Sequence, residues 1–118
     1  MSAPLVHLQL HTGDAGAARS FYAELLGWGP DRVQTRAGQY LALDLGGEVG
    51  GGIVECEASA PIWLPYVEVD RVVRVTDEAR RLGASVALEP REGPAGWRSV
   101  IRARGAGEIA LWQPQEPR

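Results

Sequence analysis

The chain contains two histidines, His7 and His11, with Gln9 midway between them. From Leu5 to His11 the apolar Val6, Leu8 and Leu10 alternate with these three polar residues, the period-two pattern of a half-buried strand with a polar face. A neutral imidazole on such a face can hydrogen-bond a ligand, take up a proton as a general base, or ligate a metal. Other nucleophilic chemistry is thin. Ser20, Ser59, Ser85 and Ser99 lie in no nucleophile motif, and Cys56, the one cysteine, sits between Glu55 and Glu57, whose charges oppose a thiolate. Gly50, Gly51 and Gly52 are not followed by the Gly-Lys-Ser/Thr of a phosphate loop; they mark a place where a ligand or another backbone can come close. No lysine occurs anywhere, which excludes a lysine Schiff base.

The elements that must position these residues recur. After the first strand, Asp14 is placed to cap a helix from Ala15 to Leu26, and Gly27 stops it. Ala18, Phe21, Tyr22, Leu25 and Leu26 recur at helical spacing and are expected to cover the Val6, Leu8 and Leu10 face. A second strand, Ile62 to Val69, leads through Asp70 into a helix from Arg71 to Leu82 that stops at Gly83. Asp14 to Asp70 and Gly27 to Gly83 are both offsets of 56 residues, an internal repeat. Strands are expected at Arg32 to Arg36, Gln39 to Leu45 and residues 48–57 in the first half. In the second they fall at Ser85 to Leu88, Trp97 to Arg104 and Glu108 to Trp112. Residues 58–61 make a linker and Glu89 to Gly96, with two prolines and two glycines, a candidate lid. The fold class is α+β: two βαβββ modules in tandem, about 5–57 and 61–113, forming a curved mixed sheet around a ligand cavity in a single domain, 1–118.

Composition narrows the partners. At 118 residues the chain has the length of one domain, with a net charge of −3. No basic patch with interleaved aromatics suggests nucleic acid, and no window approaches the length of a membrane span. A single cysteine excludes an intramolecular disulfide and a multi-cysteine zinc site. The N-terminal MSAPLVHL has neither a basic region nor a long apolar run, so a cytoplasmic location is expected.

The strand entry from His7 to Asp14, the helix AARSFYAELLGW (Ala17 to Trp28), PIWLPYVEVD (Pro61 to Asp70), DEARRLGA (Asp77 to Ala84) and GEIALWQP (Gly107 to Pro114) together carry a resemblance. Over nearly its whole length the chain is similar to the vicinal oxygen chelate superfamily, the group of glyoxalases, bleomycin-resistance proteins and ring-cleaving dioxygenases. That resemblance implies a cup-shaped sheet and, in the family's enzymes, a divalent metal held by one donor from the first strand and one from the last strand of each module. Carried over position by position, the donors fall on His7, on Val54 or, with a one-residue slip, Glu55, on Leu64, and on Ala110. Leucine and alanine cannot bind a metal, so no complete site and no cofactor are expected. If a metal is present, His7 and Glu55 hold it, with a site rebuilt from His7, His11, Glu55 and Glu108 as the widest version.

The expected cavity wall is His7, Gln9, His11, Tyr40, Asp44, Trp63, Leu64, Tyr66, Trp97, Glu108 and Trp112. Trp63 and Trp97 border loops at its mouth, and Tyr40, Tyr66 and Trp112 face inward. Flat aromatic walls with a few polar anchors suit a planar or amphipathic molecule. Trp28 is read as closing the core or an interface. Arg98 and Arg102 are read as solvated arginines on the outward face of their strand, with contact to an anionic ligand as the alternative. The function implied is metal-independent binding of a small organic molecule by a homodimer, in the manner of antibiotic sequestration. The alternative is a lyase, isomerase or dioxygenase with an altered ligand set, or a metal-free catalyst using His7 or His11 as base. A third reading is a regulatory module with a vestigial cavity.

Overall fold

The computed structural model describes residues 2–30, 40–57, 60–93 and 95–115. Along the chain it contains β1 (Leu5–Thr12), α1 (Ala15–Leu26), β2 (Gly29–Pro30), β3 (Tyr40–Asp44), β4 (Gly50–Glu55), β5 (Ile62–Glu68), α2 (Val72–Arg81), β6 (Ser85–Gly93), β7 (Gly96–Ala103) and β8 (Gly107–Pro114). This is the expected α+β class, with β-α-β-β-β occurring twice. The expected strand Arg32 to Arg36 lies outside the described residues. Two compact units result, one of Val6–Leu64 and one built on the chain from Pro65 onward.

In the first unit the strand order is β2-β3-β4-β1, with β1 parallel to β4 and β3 antiparallel to it. Leu10, Leu43 and Ile53 are fully buried under α1, which contributes Ala15, Ala18 and Tyr22. The helix seats less of itself than its periodicity predicts. None of its residues is buried, and Phe21, Leu25 and Leu26 are 57%, 62% and 51% exposed. Asp14 caps it as expected, its Oδ1 accepting from Ala17 N at 2.9 Å, and Gly27 ends it in the left-handed region at φ 75°.

In the second unit the order is β5-β8-β7-β6, with β5 parallel to β8 and the rest antiparallel. Helix α2 seats Val72 and Thr76 against it. Thr76 Oγ1 lies 2.6 Å from the Val72 carbonyl and 2.7 Å from Ser99 Oγ, so two hydroxyls with no exposed surface satisfy each other. Asp70 does not cap α2. Its carboxylate pairs with Arg74 one turn on, and the N-cap residue Arg71 makes no side-chain cap bond. The predicted lid is not a loop: β6 continues through Pro90 to Gly93 and pairs with β7 as a hairpin.

Both helices share a device that their own sequences do not contain. Glu55 Oε1, on the last strand of the first module, accepts from Ala15 N at 3.1 Å at the start of α1. Gln113 Oε1, on the last strand of the second, accepts from Val72 N at 2.9 Å at the start of α2. Each satisfies one of the N–H groups that a helix start leaves without an internal partner. Replacing Glu55 with alanine should therefore lower the unfolding free energy by about 1 to 2 kcal/mol, read from the urea midpoint at unchanged slope.

Candidate functional site

The polar face of β1 is confirmed by register. His7, Gln9 and His11 align with Gly50, Gly52 and Val54 of β4, and β3 sets Tyr40, Ala42 and Asp44 against Val54, Gly52 and Gly50. All of these side chains therefore point away from α1. Gln9 is the hinge of the arrangement. It is 6% exposed, its Nε2 lies 3.1 Å from His11 Nε2, and its amide also hydrogen-bonds His7. With the amide N–H donating to His11 and the Gln9 side chain also bonded to His7, the two imidazoles are linked through one side chain.

The glycine run acquires a specific cause here. A Cβ on Gly52 would stand 2.5 Å from the Tyr40 ring, and one on Gly50 would stand 3.0 Å from His7 Nδ1. On the opposite face, a Cβ on Gly51 would meet Leu45 at 2.5 Å. The close approach expected at these glycines is thus made by the chain's own side chains. His7 and Tyr40 lie over bare β4 backbone with ring centroids 6.5 Å apart and planes 26° from parallel.

In the second unit the face of β5, β8 and β7 turned away from α2 holds Tyr66 and Glu68, aligned with Ala110 and Trp112, which in turn oppose Val100 and Arg98. Tyr66 is buried, and its hydroxyl accepts from Arg98 Nη1 at 3.2 Å. Arg98 is therefore not a solvated surface arginine. Glu108 shares this face, but Arg102 occupies its carboxylate through Nε at 3.0 Å and Nη2 at 2.7 Å.

Several expected wall residues lie elsewhere. Trp63 is on the α1 side, donating from Nε1 to the Tyr22 hydroxyl at 3.2 Å and standing edge-on to Trp28 at 6.0 Å. The cause is strand parity, since Leu64 and Tyr66 take the other face of β5. Trp97 pairs with Gln113 and shares the α2-side face of β7 with Ser99. Asp44 is exposed and its carboxylate accepts from Gly46 N at 2.8 Å, closing the turn after β3. A cleft of about 480 Å3 bounded by Leu26, Trp28, Pro30, Asp44 and Leu45 contains no histidine, cysteine or serine.

The donor positions implied by the resemblance do not fit a divalent ion. Only His7 carries a ligating atom. Val54 occupies the β4 position on its face, Leu64 is 4% exposed, and Ala110 has no exposed surface. Glu55 is turned to the helix side of its strand, where its Oε1 accepts from Ala15 N. Among the described residues no three His, Cys, Asp or Glu side chains converge as metal donors.

Known proteins share sequence and fold with this chain. The chain is 34% identical over 114 residues to proteins of Mycobacterium tuberculosis and Mycobacterium bovis provisionally named glyoxylase CFP32, covering 90% of the chain. In structure it is similar to an uncharacterised protein of Bacillus halodurans, with a TM-score of 0.72, 14% identity, 100% of this chain and 99% of the other. It is also similar to Streptomyces coelicolor methylmalonyl-CoA epimerase in complex with 2-nitronate-propionyl-CoA, with a TM-score of 0.69, 15% identity, and 98% and 100% of the two chains. In sequence to the named glyoxylases and in fold to the epimerase, the chain is similar to proteins of the vicinal oxygen chelate superfamily. No individual family model matches it. The chain spans 44% of the length of the curated relatives it matches.

Burial holds the His7 pKa below its ordinary value of 6.5, and the bond to Gln9 partly restores it. His7 is therefore neutral at pH 7. With the folded pKa below the unfolded one, the unfolded chain binds the proton first as pH falls. The associated stability is complete above about pH 6.5 and is lost as pH drops through the folded value. In a histidine NMR titration the His7 midpoint should lie below that of an exposed histidine, and Gln9→Leu should move it lower still. The fall in urea midpoint on acidification should shrink in His7→Gln.

Proposed function

We propose that this protein binds a small planar or amphipathic organic molecule without the divalent metal of the superfamily's enzymes. The observation that carries this reading is the occupancy of the donor positions: one histidine, with valine, leucine and alanine at the others. In place of donors the site-facing strands present aromatic rings, Tyr40 beside His7, and Tyr66 with Trp112. Rings supply stacking area and need few polar anchors to fix orientation. Sequestration of an antibiotic is the role such a binder would serve, since capture alone lowers the free concentration by mass action. We further propose a cytoplasmic location and a homodimer, the dimer supported by the exposed Phe21, Leu25 and Leu26 of α1.

A second reading is favoured by one observation. His7 is held neutral and linked through Gln9 to His11, the state required of a general base. A metal-free isomerase or lyase would use it to remove a proton next to a carbonyl group. Methylmalonyl-CoA incubated in heavy water is the direct probe: exchange at the substrate carbon that His7→Gln abolishes would establish the catalytic reading over the binder.

The binder reading makes a measurable claim about metal. Protein purified without an affinity tag should hold well under one transition metal per dimer, and His7→Ala should leave that content unchanged. Planar antibiotics titrated against tryptophan fluorescence should bind equally before and after EDTA treatment. Near-stoichiometric metal that disappears in His7→Ala would overturn it.

A further inference from the structure

Across the second unit one row of side chains runs over four strands on the face away from α2. Glu68 of β5 aligns with Trp112 of β8, Trp112 with Arg98 of β7, and Arg98 with Arg91 of β6. Two arginines thus stand directly opposite each other on neighbouring strands, an arrangement that like-charge repulsion disfavours. It results from an irregularity in β6. Leu88 pairs with Val100, and the same register continued would set Pro90 opposite Arg98; a shift of one residue between Leu88 and Arg91 puts a second guanidinium there instead. Such irregularities re-aim side chains and are frequent beside functional sites.

Among the described residues no ion pair offsets these two arginines. Among the described residues the ion pairs of this unit are Arg74 with Asp70, Arg80 with Asp77 and Glu89, Arg81 with Glu78, and Arg102 with Glu108. Arg102, two residues along the same strand, shows how the sheet treats a charge it means to neutralise, for Glu108 is directly opposite. Arg98 has Trp112 on one side and Arg91 on the other, and the carboxylate of the row, Glu68, lies beyond the tryptophan. Arg98 is only partly exposed, and its Nη1 is tied to the buried Tyr66 hydroxyl at 3.2 Å, which fixes the guanidinium while leaving its other N–H groups available.

We propose that Arg98 and Arg91 form an oxyanion subsite, and that the ligand is a planar molecule bearing a carboxylate or phosphate. Its ring lies against Trp112 and its oxyanion bridges the two guanidinium groups, which bind such groups as a planar fork. The proposal rests on the small-molecule reading above and narrows it from any planar ligand to an anionic one.

The test uses the full chain and defined probes: 2-naphthoate, 2-naphthyl phosphate, their neutral counterpart 2-naphthamide, and inorganic phosphate. Binding is followed by calorimetry and by the NMR signals of the Trp112 indole N–H and the Arg98 side chain. The naphthalene anions should bind about tenfold or more tightly than the amide. Arg98→Gln and, independently, the exposed Arg91→Gln should each remove most of that preference while leaving binding of the amide unchanged. The tighter of carboxylate and phosphate identifies the ligand's group. Equal binding of acid and amide, unaltered by either variant, would overturn the oxyanion subsite and leave the planar-ligand reading standing. Inorganic phosphate perturbing Arg98 with no binding of any naphthalene would do the reverse. Absence of all binding would overturn both.

Discussion

The rest of the structure depends on how each helix start is held. Glu55 reaches Ala15 and Gln113 reaches Val72, so in both modules the last strand supplies the acceptor that the helix lacks. Because side chains alternate along a strand, this one contact fixes which residues of that strand can face the site. With Glu55 committed to α1, Gly50, Gly52 and Val54 must face the other way; with Gln113 committed to α2, Ala110 and Trp112 must do so. The same parity puts Glu55 on the helix side and gives Trp112 its place. Position in the repeat, rather than chemical type, thus decides whether a polar side chain in these strands is structural or functional.

Much of this architecture is legible in the chain. The 56-residue offset between Asp14 and Asp70, and between Gly27 and Gly83, anticipates the doubled β-α-β-β-β order, and both glycines do end their helices at positive φ. The alternation from Val6 to His11 places the polar face of β1 correctly because local pattern and burial agree there. The misreadings share one physical origin. Pattern alone puts Trp63, Trp97 and Glu55 on the cavity wall or at the metal, yet each has a partner distant in sequence: Tyr22, Gln113 and Ala15 respectively. Asp70 looks like a cap by analogy with Asp14, but a polar residue one strand away does that work. Arg98 looks solvated because strand alternation shows which face a residue takes and not what lies beside it. The two register shifts in β6, which decide what opposes it, leave no trace in the hydrophobic pattern.

The first unit solves its own packing problem by leaving side chains out. His7 and Tyr40 are large and partly buried, and the space they occupy is the space that Cβ atoms on Gly50 and Gly52 would fill. Glycine weakens a strand, so three in succession carry a cost that the surrounding ladder must offset. What the strand obtains is a shallow floor on which an imidazole and a phenol lie nearly parallel. The polar link from His7 through Gln9 to His11 then runs along the neighbouring strand, partly shielded from water. The face made this way presents rings and amides.

The four tryptophans are divided between environments in a way that has a spectroscopic consequence. Trp28 and Trp63 stand 6.0 Å apart with planes 83° from parallel, next to Tyr22 on the helix side of the first unit. Trp97 is on the helix side of the second, and Trp112 alone lies on the face with Tyr66 and Arg98. Two indoles that close and that fixed couple their transitions, giving near-ultraviolet circular dichroism a signal belonging to the packing under α1. Trp112 contributes to emission from a different environment, beside a guanidinium. One sample thus carries both an internal standard for the integrity of the first unit and a separate optical reporter of the second, with no label added.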